Sequence, residues 1–261
     1  MPDVIRGFIE DGVVKKYDYN YLANKPSIGI SVEYGLTDKD FYTVFTLPKA
    51  DFKMSLEPIR ANPNNAGTIK EYVLENRPSL ALNISNTDAF ICNGTRYGTD
   101  YTQNNHGSIF ALRPDSVDFS VFEQGTTLSS LIGFGFSDAI GGWNCLMENG
   151  VEKTIDWDYP TYANPNPRQT LAWDSDNWYV YTSYARFAIY GDHDTTNLLG
   201  KTMREILDFC ELRNWDTVCA LDGGGSSYVA CGQPFSELSI NINNGHWRDC
   251  HMCIAFNKKE D

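Results

Sequence analysis

Basic residues are scarce in this chain. Its 21 Lys and Arg stand against 34 Asp and Glu, a formal net charge of −13. Nucleic-acid binding demands a basic face, so no nucleic-acid partner is expected. Histidine is scarcer still: His106, His193, His246 and His251 are the whole set. That excludes a histidine-rich metallophosphoesterase centre, and Asp192-His193-Asp194 reads as a solvated loop rather than a metal site. No run approaches the ~20 apolar residues of a membrane span. Met1 to Glu10 lacks the charged, apolar and small-residue sections of a signal peptide. The expectation is a soluble chain, made without a cleaved leader and with no membrane partner. A G-x-x-x-x-G-K-[ST] phosphate loop and a G-x-S-x-G nucleophile elbow are both missing. No cofactor and no metal ion are expected.

Cysteine is present in an odd number, seven, at scattered positions, which favours free buried thiols in a reducing compartment. Cys250-His251-Met252-Cys253 has C-x-x-C spacing but falls in an expected final strand, where a separation of three puts the thiols on opposite faces. The sequons at Asn83 and Asn93 are taken as accidental without a leader.

Against these absences stands one dense stretch, Leu221-Asp222-Gly223-Gly224-Gly225-Ser226-Ser227. Upstream, Thr202-Met203-Arg204-Glu205 fits a capping box, and Met203, Ile206, Leu207 and Cys210 repeat at helical spacing. Asn214 suits a left-handed end to that helix. Thr217 to Leu221 reads as a buried strand, and Tyr228 to Cys231 as a second one beyond the loop. Three glycines allow positive φ and close approach of a ligand to the main chain. Their successive N–H groups can form an anion-binding nest, joined by the Ser226 and Ser227 hydroxyls. Asp222 can orient a sugar hydroxyl or move a proton. A tight turn with an aspartate at its corner is the equal alternative.

Gly200 to Glu205 followed by Cys219 to Ser227 resembles the signature of the phosphodiester glycosidases, which release a sugar held through its anomeric oxygen to a phosphodiester. Further blocks are similar in the same order. They are Ile91-Cys92-Asn93-Gly94, Ala139-Ile140-Gly141-Gly142 with Glu148-Asn149-Gly150, Pro167 to Ala172, and a late Arg248; together they span roughly residues 80 to 256. The resemblance implies Asp222, Arg168, Asn93 and Asp100 as catalytic residues. It implies Gly223, Gly224, Gly225, Ser226, Ser227, Arg248, Gly94 and Gly142 as substrate-binding residues, with Arg168 and Arg248 on the phosphate. Two guanidiniums at contact distance act inside a Debye length of about 8 Å, so they can overcome the acidic field. The chain departs from the pattern at Thr95-Arg96-Tyr97, at Gln169, and at Asp192 to Thr196. On its own, Asn93-Gly94 is a common hairpin turn.

The rest of the chain fits an α+β class, with mixed or antiparallel sheets and a few helices. Residues 1–27 read as an N-terminal arm with a hairpin at Asp11-Gly12, and 28–261 as a catalytic domain. Asp11 to Tyr19 is similar to arms of bacteriophage tail proteins, which implies a cytoplasmic or virion-associated protein, and an oligomer is compatible with that. Strands are expected from Ser27 to Leu47, Leu80 to Ile84, Ala89 to Cys92, Phe110 to Phe122 and Leu128 to Phe136. Thr68 to Leu74 reads as a helix, Pro48 to Asn65 as a polar connection, and Gly98 to Gly107 as a mobile loop. Thr170 to Trp173 and Trp178 to Tyr184 pair as a hairpin. Trp143, Trp157, Tyr159 and Tyr162 are candidates for stacking on a sugar, although such residues are more often core.

The expected activity is hydrolysis of the glycosidic bond of a sugar-1-phosphodiester, free or as part of a surface glycopolymer. A non-catalytic carbohydrate-binding or tail-structural module is one alternative, and a phosphodiesterase cutting the P–O bond is the other. Glycoside cleavage commonly uses two carboxyl groups, but a phosphodiester leaves as a weak base and needs little protonation. Asp222 is the expected carboxylate, with Asp100 or Asp138 as a second.

Overall fold

The computed structural model of the protein describes residues 7–10, 13–16, 30–36, 39–84, 87, 89–100, 107–123, 125–142, 144–184, 189–190, 193–194, 199–232, 235–240 and 248–260. Three sheets carry the fold, and all their pairings are antiparallel. The largest runs from edge to edge through Val151–Glu152, Cys145–Glu148, Thr217–Ala220, Gln169–Trp173, Asn177–Tyr184, Phe41–Pro48 and Ser31–Leu36. A five-stranded sheet runs through Phe235–Ile240, Tyr228–Gly232, Leu80–Asn83, Met252–Lys258 and Phe52–Pro58. The third runs through Ser120–Phe122, Ile109–Leu112, Asp138–Gly141, Phe90–Cys92 and Thr95–Tyr97. Four α-helices accompany them among the described residues, so the fold is of the α+β class read from the sequence.

Successive strand residues face opposite sides, and here both sides are buried. Large side chains from all three sheets meet in one core: Leu80, Leu82, Phe256, Leu171, Trp178, Phe110 and Leu112 among them. Several of the intervening residues are alanines, and these face helices. Ala230, Ala81 and Ala255 are direct neighbours across three strands and pack on Ile69, Tyr72 and Val73 of the Ile69–Asn76 helix. Ala172 and Ala220 meet Met203, Ile206, Leu207 and Cys210 of the Met203–Glu211 helix. Ala111 and Ala139 meet Leu128 and Leu131 of the Leu128–Gly133 helix. A methyl group lets the helix settle close to the sheet, while the same strand sends its bulk inward. This double burial makes the strands read as continuous apolar runs.

Local signals fix the helix ends. Thr68 with Glu71 and Thr202 with Glu205 form capping boxes, each closing two orphan amides. Arg77 ends the first of these helices at φ 55, and Asn214 takes φ 56 after the second. Three sequence expectations are corrected. The Pro48–Asn65 connection contains the strand Phe52–Pro58, whose Phe52, Met54 and Leu56 enter the core; Pro58 closes its ladder opposite Met252, and Pro48 lies before it. Leu128 to Phe136 is not a strand but starts with a helix, because Thr127 accepts the Ser130 N–H and Leu128 and Leu131 share one buried face. Cys250 and Cys253 do not point apart: Cys250 precedes the Met252–Lys258 strand, bridged to Gly67, and both thiols pack in the cluster under the Ile69–Asn76 helix.

In the arm, Gly7–Glu10 pairs with Val13–Lys16, as the Asp11-Gly12 turn implies. Residues 101–106 of the expected Gly98 to Gly107 loop, with Trp143 and His246, lie outside the described residues. No helix among the described residues is long and apolar enough to cross a membrane.

The alanine row sets a size limit. Ala81→Leu is expected to destabilise the fold by about 1–3 kcal/mol through overpacking against the helix, and Leu82→Ala by about 2–5 kcal/mol through a core cavity. Chemical denaturation measures both; a neutral Ala81→Leu would show that the helix does not rest on that row.

Candidate active site

The strand Thr217–Ala220 leaves its sheet at Leu221 and Asp222. The Leu221 N–H donates to the Gln169 carbonyl at 2.9 Å, and the Asp222 N–H to the Ile84 carbonyl at 2.8 Å. One amide is thus held by the seven-stranded sheet and the next by the end of the Leu80–Asn83 strand. The glycines follow as a single turn of 3₁₀ helix, Gly224–Ser226. Gly223 is pressed on Pro167, whose carbonyl oxygen would lie 2.6 Å from an added Cβ. Gly224 takes φ +60, and a Cβ there meets no atom within 4 Å. The Gly224 N–H donates to the Pro167 carbonyl, the Ser226 N–H to Gly223 and the Ser227 N–H to Gly224. These three amides therefore serve the loop itself.

Beneath the loop lies a buried chain of amides. Gln169, fully buried, donates from Nε2 to the Asn83 carbonyl and accepts the Tyr228 N–H at 3.0 Å. Asn83 Nδ2 donates to the Ser226 carbonyl at 2.9 Å. The Ser226 and Ser227 hydroxyls point into this interior, buried and without a hydrogen-bond partner among the described residues.

Above the loop is a small cleft of about 170 Å³, walled by Thr161, Asn166, Arg168, Asp222, Gly223 and Gly224. Asp222, 8% exposed, is the one carboxylate among its described lining residues. Arg168 is 3% exposed, and its guanidinium donates to three main-chain carbonyls: Nε to Lys201 at 2.9 Å, Nη2 to Thr161 at 2.8 Å and to Asn164 at 2.7 Å. It braces the short Pro160–Ala163 helix against the loop. Lys201 is itself anchored, its ammonium 2.8 Å from the buried Asp40 carboxylate, which also accepts the Tyr181 hydroxyl at 2.6 Å.

The remaining sequence candidates lie apart from this cleft wall. Asn93 (φ 49) and Gly94 (φ 74) form an exposed hairpin tip between Phe90–Cys92 and Thr95–Tyr97. Both left-handed residues of a type I′ turn are there. The Asn93 N–H donates to Asp138 Oδ1 at 2.9 Å, so Asp138 is committed to that turn. Asp100 accepts the Ser129 N–H at 2.8 Å and pairs with Arg96 at 3.1 Å. It holds the start of the Leu128–Gly133 helix; the Ser129 hydrogen bonds, with Arg96 adding, keep its carboxyl below the usual range. Gly142 has no room for a side chain, since Phe110 would lie 2.0 Å from its Cβ. Arg248 is exposed, two residues before Cys250. Burial, with smaller effects from Asp249 and Asp222, pushes the Cys250 thiol up to about 12.

Sequence reasoning missed Glu57. Half-buried on the strand first read as a connection, it has its carboxyl pushed up by burial, with the Asp138 carboxylate adding to the shift. The alternation Phe52-x-Met54-x-Leu56 was the signal that could have placed it. On the far side of the Pro160–Ala163 helix a larger cleft, about 540 Å³, is lined by Tyr159, Tyr162, Asn144, Cys145, Glu152 and Lys153, among others. Tyr162 is core, its hydroxyl accepting from Asn144 at 2.8 Å. Trp157 carries the Arg204 guanidinium over its ring at 5.2 Å. No group of three or more potential metal ligands occurs among the described residues.

Three antiparallel sheets round one core are a class of fold shared with known structures. The chain is similar to the catalytic domain of zebrafish N-acetylglucosamine-1-phosphodiester alpha-N-acetylglucosaminidase, with a TM-score of 0.62 and 13% identity over 91% of this chain and 85% of that one. It is also similar to a putative exported protein from Burkholderia pseudomallei (TM-score 0.58, 9% identity, 84% and 74% of the two chains). A hypothetical protein from Synechocystis is a third (TM-score 0.52, 12% identity, 88% and 64%). The likeness is one of fold. No protein-family model and no curated protein sequence matches the chain.

Arg168→Lys replaces a fork that serves three carbonyls with a single ammonium. It is expected to lower stability by about 2–4 kcal/mol; an unchanged melting temperature would remove Arg168 as a brace. Gly224→Ala should cost about 1–2 kcal/mol from its left-handed backbone alone. Gly223→Ala should cost more, because its Cβ strikes Pro167. Thermal melts of the pair test the order, and the reverse order would refute this loop geometry.

Proposed function

We propose that the chain is a hydrolase that cleaves the glycosidic bond of a sugar-1-phosphodiester at the Asp222 cleft. The observation that carries this reading is the placement of Asp222. A nearly buried carboxylate lines a cleft beside a left-handed glycine, on a fold shared with a phosphodiester glycosidase domain. The cleft is well below the ~300–1,000 Å³ of sites that engulf drug-sized ligands. It suits one monosaccharide, with the phosphodiester and its aglycone, whether a small group or a glycopolymer, directed outward.

Asp222 stabilises the developing oxocarbenium ion or activates the attacking water. A single carboxylate suffices because the phosphodiester departs as a weak base. Asp100 and Asp138 are engaged at a helix start and a turn, which supports this one-carboxylate assignment. In this reading the two arginines take different parts: Arg168, bound by carbonyls, shapes the wall, and the exposed Arg248 takes the phosphate. Gly224 leaves open space beside the carboxylate, where a sugar C–H or hydroxyl approaches the main chain.

Hydrolysis in oxygen-18 water tests the bond broken. Label in the sugar supports this reading, label in the phosphate indicates P–O cleavage, and no turnover of any sugar-1-phosphodiester favours a binding module. Asp222→Asn should abolish hydrolysis of both sugar-1-phosphodiesters and 4-nitrophenyl sugars. Arg248→Ala should raise KM about tenfold or more for phosphodiester substrates, the loss of one charge-assisted contact, and spare the 4-nitrophenyl sugars. Equal effects of Arg248→Ala on both substrate types would take the phosphate away from Arg248.

A further inference from the structure

The larger cleft has Cys145 in its wall. Cys145 stands directly opposite Cys219, where the Cys145–Glu148 and Thr217–Ala220 strands pair. The adjoining pair settles the geometry. The Ala220 N–H donates to the Asn144 carbonyl at 2.9 Å, so Asn144 and Ala220 form a hydrogen-bonded pair. Cys145 and Cys219 are then a non-hydrogen-bonded pair, for which opposed Cα atoms in a regular ladder lie about 4.5 Å apart with side chains at their closest; the register shifts only beyond it, between Cys145 and Met147. That separation falls inside the ~4.4–6.8 Å that a disulfide spans. Both thiols are free, and both face the shared core.

Cys145 Sγ donates to the Met147 carbonyl at 3.2 Å, so its sulfur keeps its acceptor capacity for the thiol of the opposed Cys219. None of the other five cysteines lines this cleft.

We infer that Cys145 and Cys219 form an oxidative modification site, a dithiol that a peroxide entering the larger cleft converts to a cross-strand disulfide. The Cys145 sulfur attacks one peroxide oxygen: an S–O bond forms, the O–O bond breaks, and the departing hydroxide takes the thiol proton as water. The Cys219 sulfur then attacks the sulfenic sulfur. The S–S bond forms, the S–O bond breaks, and the hydroxyl leaves with the Cys219 proton as a second water. Two thiols are oxidised and one peroxide is reduced. Burial holds Cys219 in its thiol form. Cys145 lines the cleft and Cys219 does not, so Cys219 takes the second step, across the strand pair. The inference does not depend on the glycosidase reading. It bears on the same strand, because Cys219 lies three residues before Asp222.

The test treats the folded full-length chain with hydrogen peroxide, alkylates it after denaturation, and maps non-reduced peptides by mass spectrometry. The expected product is a peptide pair joined through Cys145 and Cys219, lighter by two hydrogens and separated by dithiothreitol. Cys219→Ala should instead accumulate a Cys145 sulfenic acid that dimedone captures. Cys145→Ala should leave Cys219 fully alkylated. Full alkylation of both cysteines in the treated wild type would overturn the proposal. So would a Cys250–Cys253 or other disulfide forming in their place, or oxidation of Cys219 in Cys145→Ala.

Discussion

Gln169 enters the interior from the seven-stranded sheet and ends against the other side of the glycine loop. Its amide donates to the carbonyl of Asn83 and accepts from the N–H of Tyr228, and the Asn83 side chain carries the chain of bonds on to Ser226. These main-chain groups lie where strands end and ladder partners run out. An unpaired one in the interior costs about 1–3 kcal/mol. The glutamine is long enough to serve both sheets at once, so it fixes the distance between them at the point where the loop is suspended. The direction of Asp222, the contact of Gly223 with Pro167, and the position of Arg168 one residue upstream all depend on that span.

The charge balance gains meaning beside this framework. The chain is acidic overall, yet its most buried arginine at the cleft is bound by main-chain carbonyls. Carbonyl dipoles solvate a guanidinium without cancelling its charge. The nearby Tyr162 hydroxyl feels it: burial raises that group to about 12, and Arg168 opposes the rise. A charge held this way is fixed in place by the main chain. The neighbouring Asp40–Lys201 pair follows the opposite rule, with two buried charges answering each other directly.

The helix, strand, loop and strand around Asp222 were legible because each step has a local signal. Thr202 and Glu205 mark a cap, the run from Thr217 to Leu221 is too short and apolar for anything but a strand, and three glycines need a turn. The α+β class followed from the same kind of count. What escaped was non-local. Phe52, Met54 and Leu56 alternate as a strand should, but the prolines at either end hid them. Leu128 and Leu131 fit a helix as well as a strand until Thr127 and Asp100 are seen to cap it. Gln169 registered only as a departure from a pattern, since its partners lie far away in sequence. A motif also names a side chain without saying what else it faces, and so the three carbonyls around Arg168 were not foreseen.

The helix Pro160–Ala163 is a single turn, and it separates two clefts. Thr161 lines the smaller one, while Tyr159 and Tyr162 line the larger. Such a thin partition has no interior of its own to absorb a displacement, apart from the carbonyls that hold Arg168. Whatever shifts it from one side alters the shape presented on the other. Thermodynamic linkage then requires reciprocity: a ligand in the larger cleft that changes affinity in the smaller one is itself held more or less tightly by the same factor.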